Sequence, residues 1–135
     1  MTNVDTVHAV YEAFGRGDVP AILERLADDV VWDVWDSPSA AQQAVPYLAP
    51  RRGKDGVAEF FASLAALEFD EFAPLAFLEG EGQVAARIRI DVTVKATGKR
   101  IIDEEIHLWT FLPDGRIASL RHFVDTLTHT LAHRS

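Results

Sequence analysis

His107 and Asp125 are the two residues whose types and setting most directly suggest chemistry. They sit in Glu105-Ile-His-Leu-Trp-Thr-Phe-Leu-Pro-Asp-Gly-Arg-Ile-Ala-Ser-Leu-Arg-His-Phe-Val-Asp125, which reads as two strands joined by a turn. An apolar wall raises a carboxylate's pKa from about 3.9 toward the range where it works as a base. Asp125 could then take a proton from carbon beside a carbonyl. Histidine, with a reference pKa of about 6.5, could donate to the oxygen on which charge develops. The plainer roles are a half-buried strand histidine bonded to a neighbour, and an aspartate that caps a tail helix or pairs with Arg121.

Whether the two groups meet depends on strand phasing, because side chains alternate across a strand and turn type sets the register. Pro113-Asp114-Gly115 suits a three-residue loop closed by a left-handed glycine, which sets Leu112 opposite Arg116, His107 opposite Arg121 and Asp103 opposite Asp125. The same turn at Ala96-Thr97-Gly98 sets Arg87 opposite His107 and Arg89 opposite Glu105. Arg87, Arg89, Asp91, Glu105, His107, Arg121 and Asp125 then share a face with Trp109, Phe111 and Phe123. Ile88, Ile90, Val92, Val94, Ile102, Ile106, Leu108, Leu120 and Val124 take the other. A two-residue Thr97-Gly98 turn would instead send Arg87, Arg89 and Asp91 to the face opposite His107. The aromatic area among the charges points to a ligand cavity, since a solvated surface seldom carries so much. Trp32, Trp35, Phe61, Trp109, Arg121 and Phe123, with Arg89 and Asp91, are its expected substrate contacts. The aliphatic face would need cover, which a homodimer contact through the sheet would supply.

The elements that must position these residues begin with helices. Val4, Val7, Val10 and Phe14 recur at helical spacing before Gly15 and Gly17. Asp18 is a candidate cap for a second helix with Pro20 in its first turn, ending near Asp28. Val30 to Trp35 reads as a strand, and Ser37 to Arg52 as a loop able to act as a lid, with Gln43 and Tyr47 available to a ligand. A third helix follows from Lys54, capped by Asp55 and burying Val57, Phe60, Phe61 and Leu64. Strands are predicted at about 71–79, 83–95, 100–111 and 116–125, giving an α+β domain in which a curved antiparallel sheet wraps over helices. Tyr11 reads as packing.

The 135 residues, 48% of them hydrophobic, fit one domain over 1–135. A net charge of −8 argues against nucleic-acid and anionic-membrane binding and favours an uncharged or cationic small molecule. There is no cysteine, and neither a signal-peptide pattern nor a run of 18 apolar residues is present, so a cytoplasmic protein is expected. His122, His129 and His133 lack a further ligand at matched spacing, so no metal is expected. Nor is a cofactor.

Tyr11-Glu-Ala-Phe-Gly-Arg-Gly-Asp18, Leu26-Ala-Asp-Asp-Val-Val-Trp32, Arg52-Gly-Lys-Asp-Gly-Val-Ala-Glu-Phe-Phe61 and Gly115-Arg-Ile…Leu-Arg-His-Phe-Val-Asp125 occur in an order that resembles the nuclear transport factor 2-like superfamily, and more narrowly its SnoaL-like branch. The resemblance covers nearly the whole chain. It implies a cone-shaped α+β barrel with a cavity between sheet and helices, commonly dimeric, in a group holding both enzymes and noncatalytic binders. SnoaL-type polyketide cyclases use an acidic base and a nearby histidine, which match Asp125 and His107. Steroid isomerases differ: their tyrosine falls at Val10, their base near Val34 and their second acid at His107. Limonene-epoxide-hydrolase-like members use an Arg-x-Asp pair and a terminal Asp, for which Arg89, Asp91 and Asp125 look similar, although their Tyr-x-Asn has no clear match. The leading expectation is cofactor-independent proton transfer on a small apolar carbonyl compound, with the hydrolase and a noncatalytic dimeric ligand-binding domain as alternatives.

Overall fold

Thr2 opens the first helix with a reciprocal cap, its hydroxyl accepting from the Asp5 amide at 3.1 Å while the Asp5 carboxylate accepts from the Thr2 amide at 2.9 Å. Helix α1 (Asn3–Gly15) buries Val7, Val10 and Ala13. Gly17 turns the chain at φ 70°, and Asp18 caps α2 (Val19–Leu23). The computed structural model describes residues 1–34, 39 and 44–135.

The second helix stops well short of Asp28, because Leu26 to Val34 forms strand β1. Tertiary pairing wins over local helix pattern there: Leu26 pairs with Ile117, whose amide donates to the Arg25 carbonyl at 2.9 Å. A two-residue strand, β2 (Arg51–Arg52), leads into α3 (Gly53–Ser63). Asp55, expected as the cap of that helix, lies in its first turn instead; the cap position is Arg52. Strands β3 (Leu67–Gly80), β4 (Gln83–Val94), β5 (Arg100–Phe111) and β6 (Ile117–Phe123) follow, and α4 (Thr126–Ala132) closes the chain.

The strand order is β2-β1-β6-β5-β4-β3. The sheet is curved and unclosed, antiparallel except for the β1–β6 pair. The expected α+β architecture therefore forms, with α1, α3 and α4 laid against the sheet. Its described core has two parts: Val7, Ile22, Leu26 and Val30 cluster with Val84, and Ala86, Ile88, Ile90, Val92 and Val94 cluster with Leu48 and Ile101.

Both hairpin registers differ from expectation. Gly115 closes the β5–β6 turn at φ 91°, with the Leu112 amide donating to the Arg116 carbonyl at 2.8 Å, so that turn is the expected one. A bulge then intervenes: Phe111 pairs with Ile117, but Thr110 pairs with Ser119, leaving Ala118 as the extra residue. His107 consequently faces His122, and Arg121 falls opposite Leu108. At the β4–β5 turn the Val94 amide donates to the Lys99 carbonyl at 2.8 Å, so four residues, Lys95 to Gly98, make the connection. Ala86 thus opposes His107, and Arg89 opposes Glu104.

That slip puts Ile88, Ile90, Val92 and Val94 on the inner face, buried, and Arg87, Arg89 and Asp91 on the outer one. The outer charges pair with each other: Arg89 with Glu71 at 2.8 Å, Arg100 with Asp91 at 2.5 Å, and Arg87 with Glu104. The aliphatic row of β4 is core, so it no longer calls for a partner chain to cover it.

Candidate functional site

Strand β5 carries Asp103, Glu105, His107 and Trp109 at alternate positions, so all four leave the strand on one side. Pairing with β4 makes that side the inner one, with Trp109 opposite Val84 and Glu105 opposite Ile88. The bulge in β6 brings Leu120 and His122 to the same wall. Helix α1 adds Tyr11 and Phe14, and α3 adds Phe60 and Phe61. Together with Trp32, Phe72 and Tyr47 they enclose a cavity of about 80 Å³. Phe69, 37% exposed, stands where it meets solvent.

The polar groups in this aromatic enclosure form a connected line. Trp109 Nε1 donates to the Tyr11 hydroxyl at 3.1 Å, that hydroxyl lies 2.8 Å from His107 Nδ1, and His107 Nε2 lies 3.0 Å from Glu105 Oε1. An ionised carboxylate only accepts, so His107 carries a proton on Nε2, and the neutral tautomer receives the Tyr11 hydroxyl hydrogen at Nδ1. His129 of α4 completes the line. Its Nε2 lies 3.1 Å from Asp103 Oδ2 and 3.5 Å from Glu105 Oε2, and its Nδ1 lies 2.7 Å from the Tyr47 hydroxyl.

Burial by itself would push Glu105 toward the neutral acid, but hydrogen bonds from His107 and His129 overcome that and hold its pKa below the usual carboxylate range. Burial likewise opposes charge on His129, yet Asp103 and Glu105 raise it to about 9, so it is an imidazolium at neutral pH. The Tyr11 phenol is pushed up chiefly by burial and stays protonated. His122 goes the other way: burial first, then the His107 ring 6.4 Å away, lower it to about 4. It is therefore neutral at pH 7. Its nitrogens have no hydrogen-bond partner among the described residues, which leaves an unused lone pair on the cavity wall.

Asp103, Glu105 and His129 offer ligand atoms within 4.8 Å of one another, a spacing that could hold a metal ion. Here the protonated His129 is itself the cation between the two carboxylates.

Of the residues expected to form the site, His107, Trp32, Trp109 and Phe61 line the cavity. Asp125 does not. It is exposed and caps α4, accepting from the Thr128 amide at 3.1 Å and the Thr128 hydroxyl at 2.7 Å, and those bonds lower its pKa. The joint His107–Asp125 chemistry is thereby corrected, because β6 ends at Phe123 and the chain turns into the helix before reaching Asp125. Arg89, Asp91 and Arg121 sit on the outer face and Phe123 pairs with Ile106 there, so none lines the cavity; the hydrolase arrangement of Arg89, Asp91 and Asp125 is not assembled. Trp35 and Gln43 lie outside the described residues. Sequence reasoning passed over Tyr11, Glu105 and His122 as site residues. The Glu105-x-His107-x-Trp109 alternation was a usable signal, whereas nothing local marks a helix tyrosine as their partner.

The SnoaL-like domain profile matches residues 7–120. The chain belongs to the SnoaL-like domain family. No curated protein matches it. Solved structures do: an NTF2-like protein of unknown function from Burkholderia pseudomallei shares 26% identity, with all of both chains covered and a TM-score of 0.84. One from Mesorhizobium loti, provisionally described as a SnoaL-like polyketide cyclase, shares 24% over 90% of this chain and 98% of its own, with a TM-score of 0.70. TerC, crystallised with polyporic acid, shares 22% over 96% of each chain, with a TM-score of 0.79. At the last two identities the likeness is one of fold. In this SnoaL-like chain the helix tyrosine, Tyr11, ties α1 to β5, so the site spans both layers. Among the described residues no helix is long and apolar enough to cross a membrane.

Proposed function

We propose that this SnoaL-like domain is an acid–base enzyme, working without a cofactor, that moves a proton on a compact, largely apolar carbonyl compound. The supporting observation is the pairing, in one aromatic cavity, of a hydroxyl backed by a buried His–Glu pair with an imidazole that has no hydrogen-bond partner among the described residues. His122 takes the proton from the carbon beside the carbonyl. The C–H electrons become a C=C bond, and the carbonyl π electrons move to oxygen, where the Tyr11 O–H, turned from His107 Nδ1 to the bound substrate, meets the growing charge. Return of the proton from His122 to a different carbon completes an isomerisation. His107 and Glu105 touch no substrate in this scheme; they orient the Tyr11 hydroxyl.

Exchange of the α-protons of acetophenone in D2O, followed by NMR, tests the reading. Tyr11→Phe and His122→Gln are each expected to slow enzyme-dependent exchange by about a hundredfold or more. Exchange with wild-type protein no faster than with His122→Gln would reject it. The proposal extends to a homodimer through the outer face of the sheet, where Ile102 is 51% exposed beside the paired charges; sedimentation of wild type against Ile102→Lys tests that part.

A further inference from the structure

Glu105 holds two histidines, one on each carboxylate oxygen, and each histidine holds a tyrosine that lines the cavity. The reading above uses only the Tyr11–His107 arm. The Tyr47–His129 arm differs from it in the direction of its hydrogen bonds.

His129 faces two carboxylates at Nε2, which must therefore carry a proton. Thr128 and Thr130 are its chain neighbours, and the further charged side chain that acts on it is Asp125, one helical turn earlier. One imidazole against two carboxylates, Glu105 buried and Asp103 half-buried, is held as the cation, so Nδ1 also bears a proton and donates it to the Tyr47 oxygen 2.7 Å away. The Tyr47 hydroxyl hydrogen is then unclaimed, because its oxygen has no other hydrogen-bond partner among the described residues. Tyr11 is the opposite case, giving its hydrogen to His107 while accepting from Trp109. Tyr47 itself stays protonated, since burial first and then Glu105 and Asp103 push its phenol up. Its residue is only 5% exposed, so the free O–H has little bulk water to meet. A buried donor without an acceptor is costly, and a ligand oxygen would relieve it.

We propose that Tyr47, presented by His129 of the C-terminal helix, is a second hydrogen-bond donor of this site, and that the cavity takes a substrate bearing two oxygen functions, one for each tyrosine. This deepens the proposed function and rests on its assignment of the cavity as the substrate site. In chemical terms the class is a diketone or hydroxyketone on an aryl or other apolar body, not a simple ketone. In a 1,3-diketone the enolate charge is shared between both oxygens, and the Tyr47 O–H donates a hydrogen bond to the second of them.

The test is calorimetric titration of the whole chain with acetophenone, which has one oxygen, and with two diketones, acetylbenzoyl and benzoylacetone. Wild type is expected to bind at least one diketone about tenfold more tightly than acetophenone, and Tyr47→Phe to erase that preference by weakening the diketones far more than acetophenone. His129→Gln, which removes the charge behind Tyr47, is expected to lose the preference as well; it serves as the second variant should Tyr47→Phe fold poorly. Equal binding of ketone and diketones by wild type overturns the inference, as does a Tyr47→Phe variant that keeps the preference or weakens all three probes alike. If Tyr47→Phe erases a real diketone preference and yet wild type exchanges no α-protons, the inference stands and the enzymatic reading falls.

Discussion

Glu104 and Glu105 are neighbours in sequence and live in different physics. Glu104 points outward, half exposed, and pairs with Arg87 across a surface where water and salt screen the attraction. Glu105 points inward, 8% exposed, and is shared by two histidines in a cavity wall. The outer face of β4 and β5 repeats this pattern with Arg89–Glu71 and Arg100–Asp91. The same residue types therefore decorate one face and build a buried hydrogen-bonded line on the other. What separates them is one step of strand parity, which changes the dielectric around a charge and with it the strength of every interaction it makes.

The comparison breaks most visibly at the two glutamates. Glu105→Gln leaves the buried His129 cation with Asp103 alone, and chemical denaturation should show a loss of roughly 3–5 kcal/mol, against about 0.5 kcal/mol or less for Glu104→Gln. Equal losses would mean that the inner network carries no special weight.

Titration of stability sharpens the same contrast. His129 has its pKa raised from 6.5 to about 9, so its contribution is fully present below pH 6.5 and fades as pH rises through 9. His122 is lowered from 6.5 to about 4, so its contribution is present above pH 6.5 and fades as pH falls through 4. The depressed pKa of Glu105 acts in the same direction as His122, its contribution fading as pH falls below the ordinary glutamate value of 4.5. Denaturation midpoints measured across this range should peak near pH 6.5, and the alkaline decline should be shallower in Glu105→Gln.

Smaller effects are expected away from the cavity. Asp125→Ala removes the cap of α4 and should cost about 1 kcal/mol, whereas Asp125→Asn, which can still cap, should cost less. Neither should change the enzyme-dependent exchange rate, and loss of exchange in Asp125→Asn would return that residue to the chemistry. The least change belongs to Arg89→Ala, within about 0.5 kcal/mol by thermal or chemical unfolding.

Much of the fold was legible because it rests on local rules. The Asp18 cap with Pro20 behind it and the Gly115 turn form as read, since each is decided by a few adjacent residues. Helix two was overread, because the β1–β6 pairing draws Leu26 and Ala27 into a strand. At the site, His107, Trp109, Trp32 and Phe61 were placed on the cavity by pattern, while Tyr11, Glu105 and His122 were given other roles or none. Their importance comes from contacts between residues as far apart in sequence as Tyr11 and His107, which no periodicity records.

Alternation along β5 was fixed by the chain itself: Glu105, His107 and Trp109 share a side in any strand, since successive side chains point opposite ways. Which side that is, and what meets it, was settled only by tertiary structure. One extra residue at Ala118 and a four-residue connection at Lys95–Gly98 each reverse the cross-strand parity. Such slips are close in local energy and are chosen by burial of Ile88, Ile90, Val92 and Val94, so the packed core decided that the Glu105–His107–Trp109 side faces the helices and that Arg87, Arg89 and Asp91 face away.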